Sequence, residues 1–143
     1  MKYFAIAVAG LLFCGCASPS HPGDPGNVTP GVQVQPGREF DIGVGQTVEV
    51  QGTPVTIRFS GVAEDSRCPV DVQCVWAGNA IVRLAISTAG GVVTDASLNT
   101  TLEPKSTTTS GYTIRLAGLK PFPRSGTTIP ASSYMATLEV RAN

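Results

Sequence analysis

The residues best suited to chemistry are concentrated in one stretch, Glu64-Asp65-Ser66-Arg67-Cys68-Pro69-Val70-Asp71-Val72-Gln73-Cys74-Val75-Trp76-Ala77-Gly78, with two cysteines, three carboxylates, an arginine and the only tryptophan. A redox dithiol wants an exposed, low-pKa thiol in Cys-x-x-Cys at a helix start. Here five residues intervene between the cysteines, and Pro69 follows the first. A zinc site wants about four ligands in closely spaced pairs, and the only histidine, His21, lies far upstream. Glu64, Asp65 and Asp71 are oxygen donors of the kind calcium takes, but their spacing matches no calcium loop. The same carboxylates as a glycosidase pair would need a sugar cleft, which a tight turn does not offer. Without a histidine in the folded region, Ser-His-Asp and Cys-His arrangements are unavailable. No phosphate-cradling glycine motif occurs. No cofactor and no metal are expected, and the chain reads as a protein that does not catalyse.

Destination follows from the first residues. One lysine precedes an apolar stretch from Tyr3 to Phe13 and then small residues, the layout of a secretory signal spanning 1–15. Eleven apolar positions at about 1.5 Å each fall short of a hydrocarbon core of about 30 Å, so the stretch is not read as a transmembrane anchor. Its end, Phe13-Cys14-Gly15-Cys16, resembles the bacterial lipobox, with Phe13 and Cys14 as departures. The resemblance implies cleavage before Cys16, its lipidation, and attachment to a membrane of the cell envelope. Ala17 and Ser18 are compatible with an outer-membrane destination where the host has one. In an exported protein Cys68 and Cys74, the only thiols of the folded region, should pair as a structural staple.

Residues 16–37 form the lipidated end and a tether, since 17–37 hold five of the eleven prolines and little to bury. The single domain is expected over 38–143. Ten basic and ten acidic residues cancel, leaving no basic face for nucleic acid. A monomer is expected.

Period-two alternation governs the domain. Val55, Ile57 and Phe59 alternate with Thr56, Arg58 and Ser60; Ala80, Val82, Leu84 and Ile86 alternate with Ile81, Arg83 and Ala85. Tyr112-Ile114-Leu116 and Tyr134-Ala136-Leu138-Val140 repeat the scheme. Weaker strands are expected at 38–42, 46–51, 72–76 and 91–98, separated by Gly- and Pro-containing turns. The expected fold is all-β, an antiparallel sandwich or small barrel of seven or eight short strands with one local disulfide. A strand at 72–76 would put Val72, Cys74 and Trp76 on one face, with the indole against the core. Asp65 or Glu64 paired with Arg67 would fix the start of the loop.

Asp65-Ser66-Arg67-Cys68-Pro69, Cys74-Val75-Trp76-Ala77-Gly78, Gly111-Tyr112-Thr113-Ile114-Arg115-Leu116 and Lys120-Pro121-Phe122-Pro123, with Tyr134 near the end, together resemble a pattern in small, uncharacterised exported or lipid-anchored bacterial proteins. The resemblance implies shape and location and brings no functional residue with it. An envelope-tethered binding or structural domain is therefore expected; the alternative is a secreted inhibitor or small-ligand binder. Two restricted loops qualify as contact surfaces at low entropic cost: 68–74, with Asp71 and Gln73 at its tip, and 120–131, where three prolines hold Phe122 beside Arg124. A protein or small ligand of the envelope is the expected partner. Phe122 has the competing role of closing one end of the core.

Overall fold

A computed structural model describes residues 31–143. The expected signal at 1–15, Cys16 and the expected tether as far as residue 30 lie outside the described residues. Nine strands are present among them: β1 Val32–Val34, β2 Glu39–Gly43, β3 Thr47–Val50, β4 Thr56–Asp65, β5 Ala80–Ser87, β6 Val93–Asn99, β7 Ser106–Thr109, β8 Tyr112–Lys120 and β9 Met135–Ala142. Among the described residues the only helix is one 3-10 turn, Ala131–Ser133. The strands form two sheets, β1-β3-β4-β5-β6 and β2-β9-β8-β7. Two separate sheets make the fold a sandwich and not a closed barrel.

The alternation read from the sequence is what the sheets use. Ile57, Phe59, Val82 and Leu84 from one sheet and Ile114, Leu138 and Val140 from the other are at most 1% exposed. Their burial removes apolar surface from water and supplies the main folding drive. All pairings are antiparallel except β1 with β3.

Three features correct the sequence reading. The sheet takes in residues upstream of 38, within the expected tether: Val34 of β1 is buried and its carbonyl accepts from Gln51 N at 2.9 Å. Residues 72–76 form no strand. Strand β7 went unread because Ser106-Thr107-Thr108-Thr109 has no apolar member to alternate.

Register shifts aim the strand ends. In β4 they fall between Phe59 and Gly61 and between Val62 and Glu64, and Gly61 has φ 143°, a value open to glycine. These bulges re-phase the strand and turn its end toward the second sheet, carrying Asp65 to Tyr134. In β8 a shift between Leu116 and Gly118 lets Leu116 and Leu119, three apart, both face the core.

Candidate functional site

One end of the sandwich gathers the loops after β4, β6 and β8. At its base lies an ion pair. Arg67 Nε donates to Asp65 Oδ1 at 2.8 Å, and Nη2 donates to Oδ2 at 2.6 Å. The side chains are 9% and 11% exposed. The remaining guanidinium donors reach the Leu119 carbonyl at 2.6 Å and the Pro121 carbonyl at 2.9 Å. Tyr134 Oη donates to Asp65 Oδ2 at 2.9 Å. Burial opposes ionisation of Asp65, but the bonds from Arg67 and Tyr134 outweigh it and hold the carboxyl below its ordinary range. Burial, then the bond to Asp65, pushes the Tyr134 phenol up. Of the two carboxylates expected to meet Arg67, Asp65 is the one; Glu64 is exposed.

Above this base the chain doubles back. Ser66 N donates to Asn79 O at 2.7 Å and Cys68 N to Ala77 O at 2.9 Å. The stem is closed by Gly78, at φ +70°, where a Cβ would stand 1.9 Å from the Ser66 carbonyl oxygen. Cys68 and Cys74 are joined as expected, with Cα atoms 5.9 Å apart. Replacing both with alanine should cost about 2 kcal/mol, the entropy of a seven-residue loop, and lower the melting midpoint by several degrees. Thermal unfolding with and without reductant checks this.

Asn79 joins the β6–β7 loop to the stem. Its amide donates to Asn99 Oδ1 at 2.8 Å, and its Oδ1 accepts from Thr101 N at 3.1 Å. The two loops singled out separately in the sequence meet here. Val70 N donates to Pro123 O at 3.0 Å. Ser125 N and Oγ donate to Asp71 Oδ1 and Oδ2 at 2.8 and 2.5 Å. The Ser125 hydroxyl, then its amide, holds the Asp71 carboxyl below its ordinary range. Asp71 is thus a positioning residue that locks one loop to the other. Gln73, Phe122 and Arg124 are exposed. Phe122, at 65% exposure, does not close the core.

Trp76 is the main correction. Without a strand at 72–76 the indole has no wall to lie on, and it is 82% exposed beside Val75 at 90%. Val70, Val72 and Leu102 are exposed on the same group of loops. A cleft of about 330 Å³ runs between the loops, lined by residues that include Cys68, Ala77, Thr101, Leu119 and Phe122. The oxygen donors considered for calcium do not converge: Asp65 is bound to Arg67 and Tyr134, and Asp71 to Ser125. Among the described residues no three His, Cys, Asp or Glu side chains form a group able to hold a metal ion.

Sequence reasoning did not bring Tyr134, Asn79 or Leu102 to this end, and it gave Gly78, though within the 64–78 stretch, no role of its own. Gly78 carried a local signal, as a glycine between the cysteine pair and the strand that opens at Ala80. No family model, no curated protein and no solved structure matches the chain.

Proposed function

We propose that the protein is an exported β-domain, lipid-anchored at Cys16, that binds and does not catalyse, with the disulfide end of the sandwich as its contact surface. The observation that carries this reading is the near-complete exposure of Val75 and Trp76 on a loop fixed by a disulfide, an ion pair and bonds to its neighbour loops. Large apolar side chains grouped on a soluble surface mark interaction sites, and a loop already ordered loses little entropy on binding. Aromatic and arginine side chains, here Trp76, Phe122 and Arg124, are the anchors interfaces favour. Membership in the exported bacterial group with the same cysteine pattern belongs to this proposal. Asp65, Arg67, Cys68, Cys74 and Gly78 of that pattern are the residues that build the surface. A second reading, a small-ligand binder or inhibitor using loops 68–74 and 120–131, is favoured by the 330 Å³ cleft.

Two results are expected. Labelled palmitate should enter the wild-type protein and not Cys16→Ser; label in the variant, or none in the wild type, contradicts the anchor. A photo-activatable side chain at position 75 should give defined adducts in intact envelopes, and one at exposed Thr94 on β6 should not. Equal yields from both positions, or none from position 75, contradict the contact surface.

A further inference from the structure

We infer that the disulfide end docks onto the lipid bilayer that carries the anchor, with Val75, Trp76 and Phe122 entering its interface. The inference rests on the lipid-anchored binding reading and names the partner of that surface.

Direction comes from the sheet. β1 runs parallel to β3, and β3 antiparallel to β4. Since β4 runs toward the disulfide end, the upstream end of β1 faces it too, with Gly31, the first described residue, on that side. Val32 lies level with Val48 and so with Ile57. Asp65 is eight residues farther along β4, about 26 Å at strand rise. Fifteen residues separate Cys16 from Val32 and reach at most about 50 Å. The linker therefore spans the distance to the disulfide end with roughly 20 Å left over. An anchor at Cys16 keeps the surface of the bilayer within that reach.

Chemistry agrees. Val75 and Trp76, 90% and 82% exposed, are convex knobs that a fluid interface closes around without needing a matching pocket. Tryptophan favours the headgroup level of membranes, and phenylalanine joins it on the apolar face of segments that lie in the interface. The opposite end of the sandwich has the polar turns Gln51-Gly52-Thr53 and Ser110-Gly111 and, at the β5–β6 turn, exposed Val92 and Val93 at 65% and 60%, but none of the exposed aromatic side chains that mark the disulfide end. At this end Lys120 is paired with Asp41 at 2.9 Å, Arg124 acts on Asp71, and Lys105 is matched by Glu103, so docking needs no anionic lipid and should resist salt.

Trp76 is the only tryptophan, so its fluorescence reports this contact alone. The full lipidated chain, its acylation verified by mass, is reconstituted in phosphatidylcholine vesicles with or without bromine on the acyl chains. Bromine should quench the emission well beyond the unbrominated control, as for a tryptophan held at the interface. High salt should leave the quenching in place. Val75→Glu with Phe122→Glu, at exposed positions, should abolish it while melting unchanged. Equal emission in both vesicles, or quenching that the double variant retains, overturns bilayer docking. An adduct from position 75 that is protein and not lipid overturns docking and leaves the binding reading standing. Absence of the acyl group by mass instead fails the anchor on which both rest.

Discussion

Gly78→Ala should lower stability by about 3 to 5 kcal/mol, more than any other glycine substitution in the domain. Two causes combine at this position. The backbone sits at φ +70°, which a side chain disfavours, and the new Cβ would stand 1.9 Å from a backbone oxygen of Ser66 and 2.8 Å from the Arg67 Cα. Backbone on both sides leaves no flexible group to yield. The stem must open, and the Ser66–Asn79 and Cys68–Ala77 bonds go with it. Gly52→Ala isolates the first cause, since Gly52 has φ +70° and nothing within 4 Å; it should cost about 1 kcal/mol. Denaturant unfolding of the two variants, with amide exchange at Ser66 and Cys68, checks the difference. Similar losses from both would mean that the close approach at Gly78 does not constrain the loop.

Arg67→Leu should cost about 3 to 5 kcal/mol near neutral pH, because it leaves the Asp65 carboxylate buried without its charged partner. It also strips the Leu119 and Pro121 carbonyls of their donors, so the β8–β9 loop should loosen together with the disulfide loop. Asp65→Asn in the same chain should recover part of the loss by removing the orphaned charge. The pH dependence has a definite sign. Asp65 is held below its ordinary range, so its contribution is full above about pH 4 and fades as the pH falls through the lowered value. The gap between wild type and Arg67→Leu should therefore shrink on acidification. Asp41, Asp71 and Glu139 are also held low and make both proteins acid-sensitive, but they cancel in the difference. A gap that is constant from pH 7 down to about pH 3 would contradict the role given to the pair.

The strands legible in the sequence are those whose burial is carried by alternation: Ile57 and Phe59, Val82 and Leu84, Ile114 and Leu116, Leu138 and Val140. Edge strands left weaker marks. Val32–Val34 is three residues long between Pro-Gly pairs, and Ser106–Thr109 shows only polar side chains. The alternation of Val72, Cys74 and Trp76 misled because a disulfide-closed loop held by Pro123 has no partner strand; the same spacing then serves exposure. Asp65 with Arg67, and Cys68 with Cys74, were legible because each pair is local. The meeting of the two loops was not, since Asp71 and Ser125 stand 54 residues apart and neither carries a sign of the other. Tyr134 was read as the first inward residue of its strand, and it is buried as such; its hydroxyl on Asp65 exists because the β4 bulges bring the carboxylate there.

The contact surface is tested most directly by covalent footprinting of the protein in intact envelopes against the purified protein in detergent-free dilute solution. Labelling at Val75, Trp76 and Phe122 should fall several-fold in the envelope, while exposed residues of the sheets, such as Arg58 and Thr94, keep their reactivity. Equal labelling of Trp76 in both settings, or protection spread evenly over Arg58 and Thr94 as well, would contradict a function seated in the disulfide end.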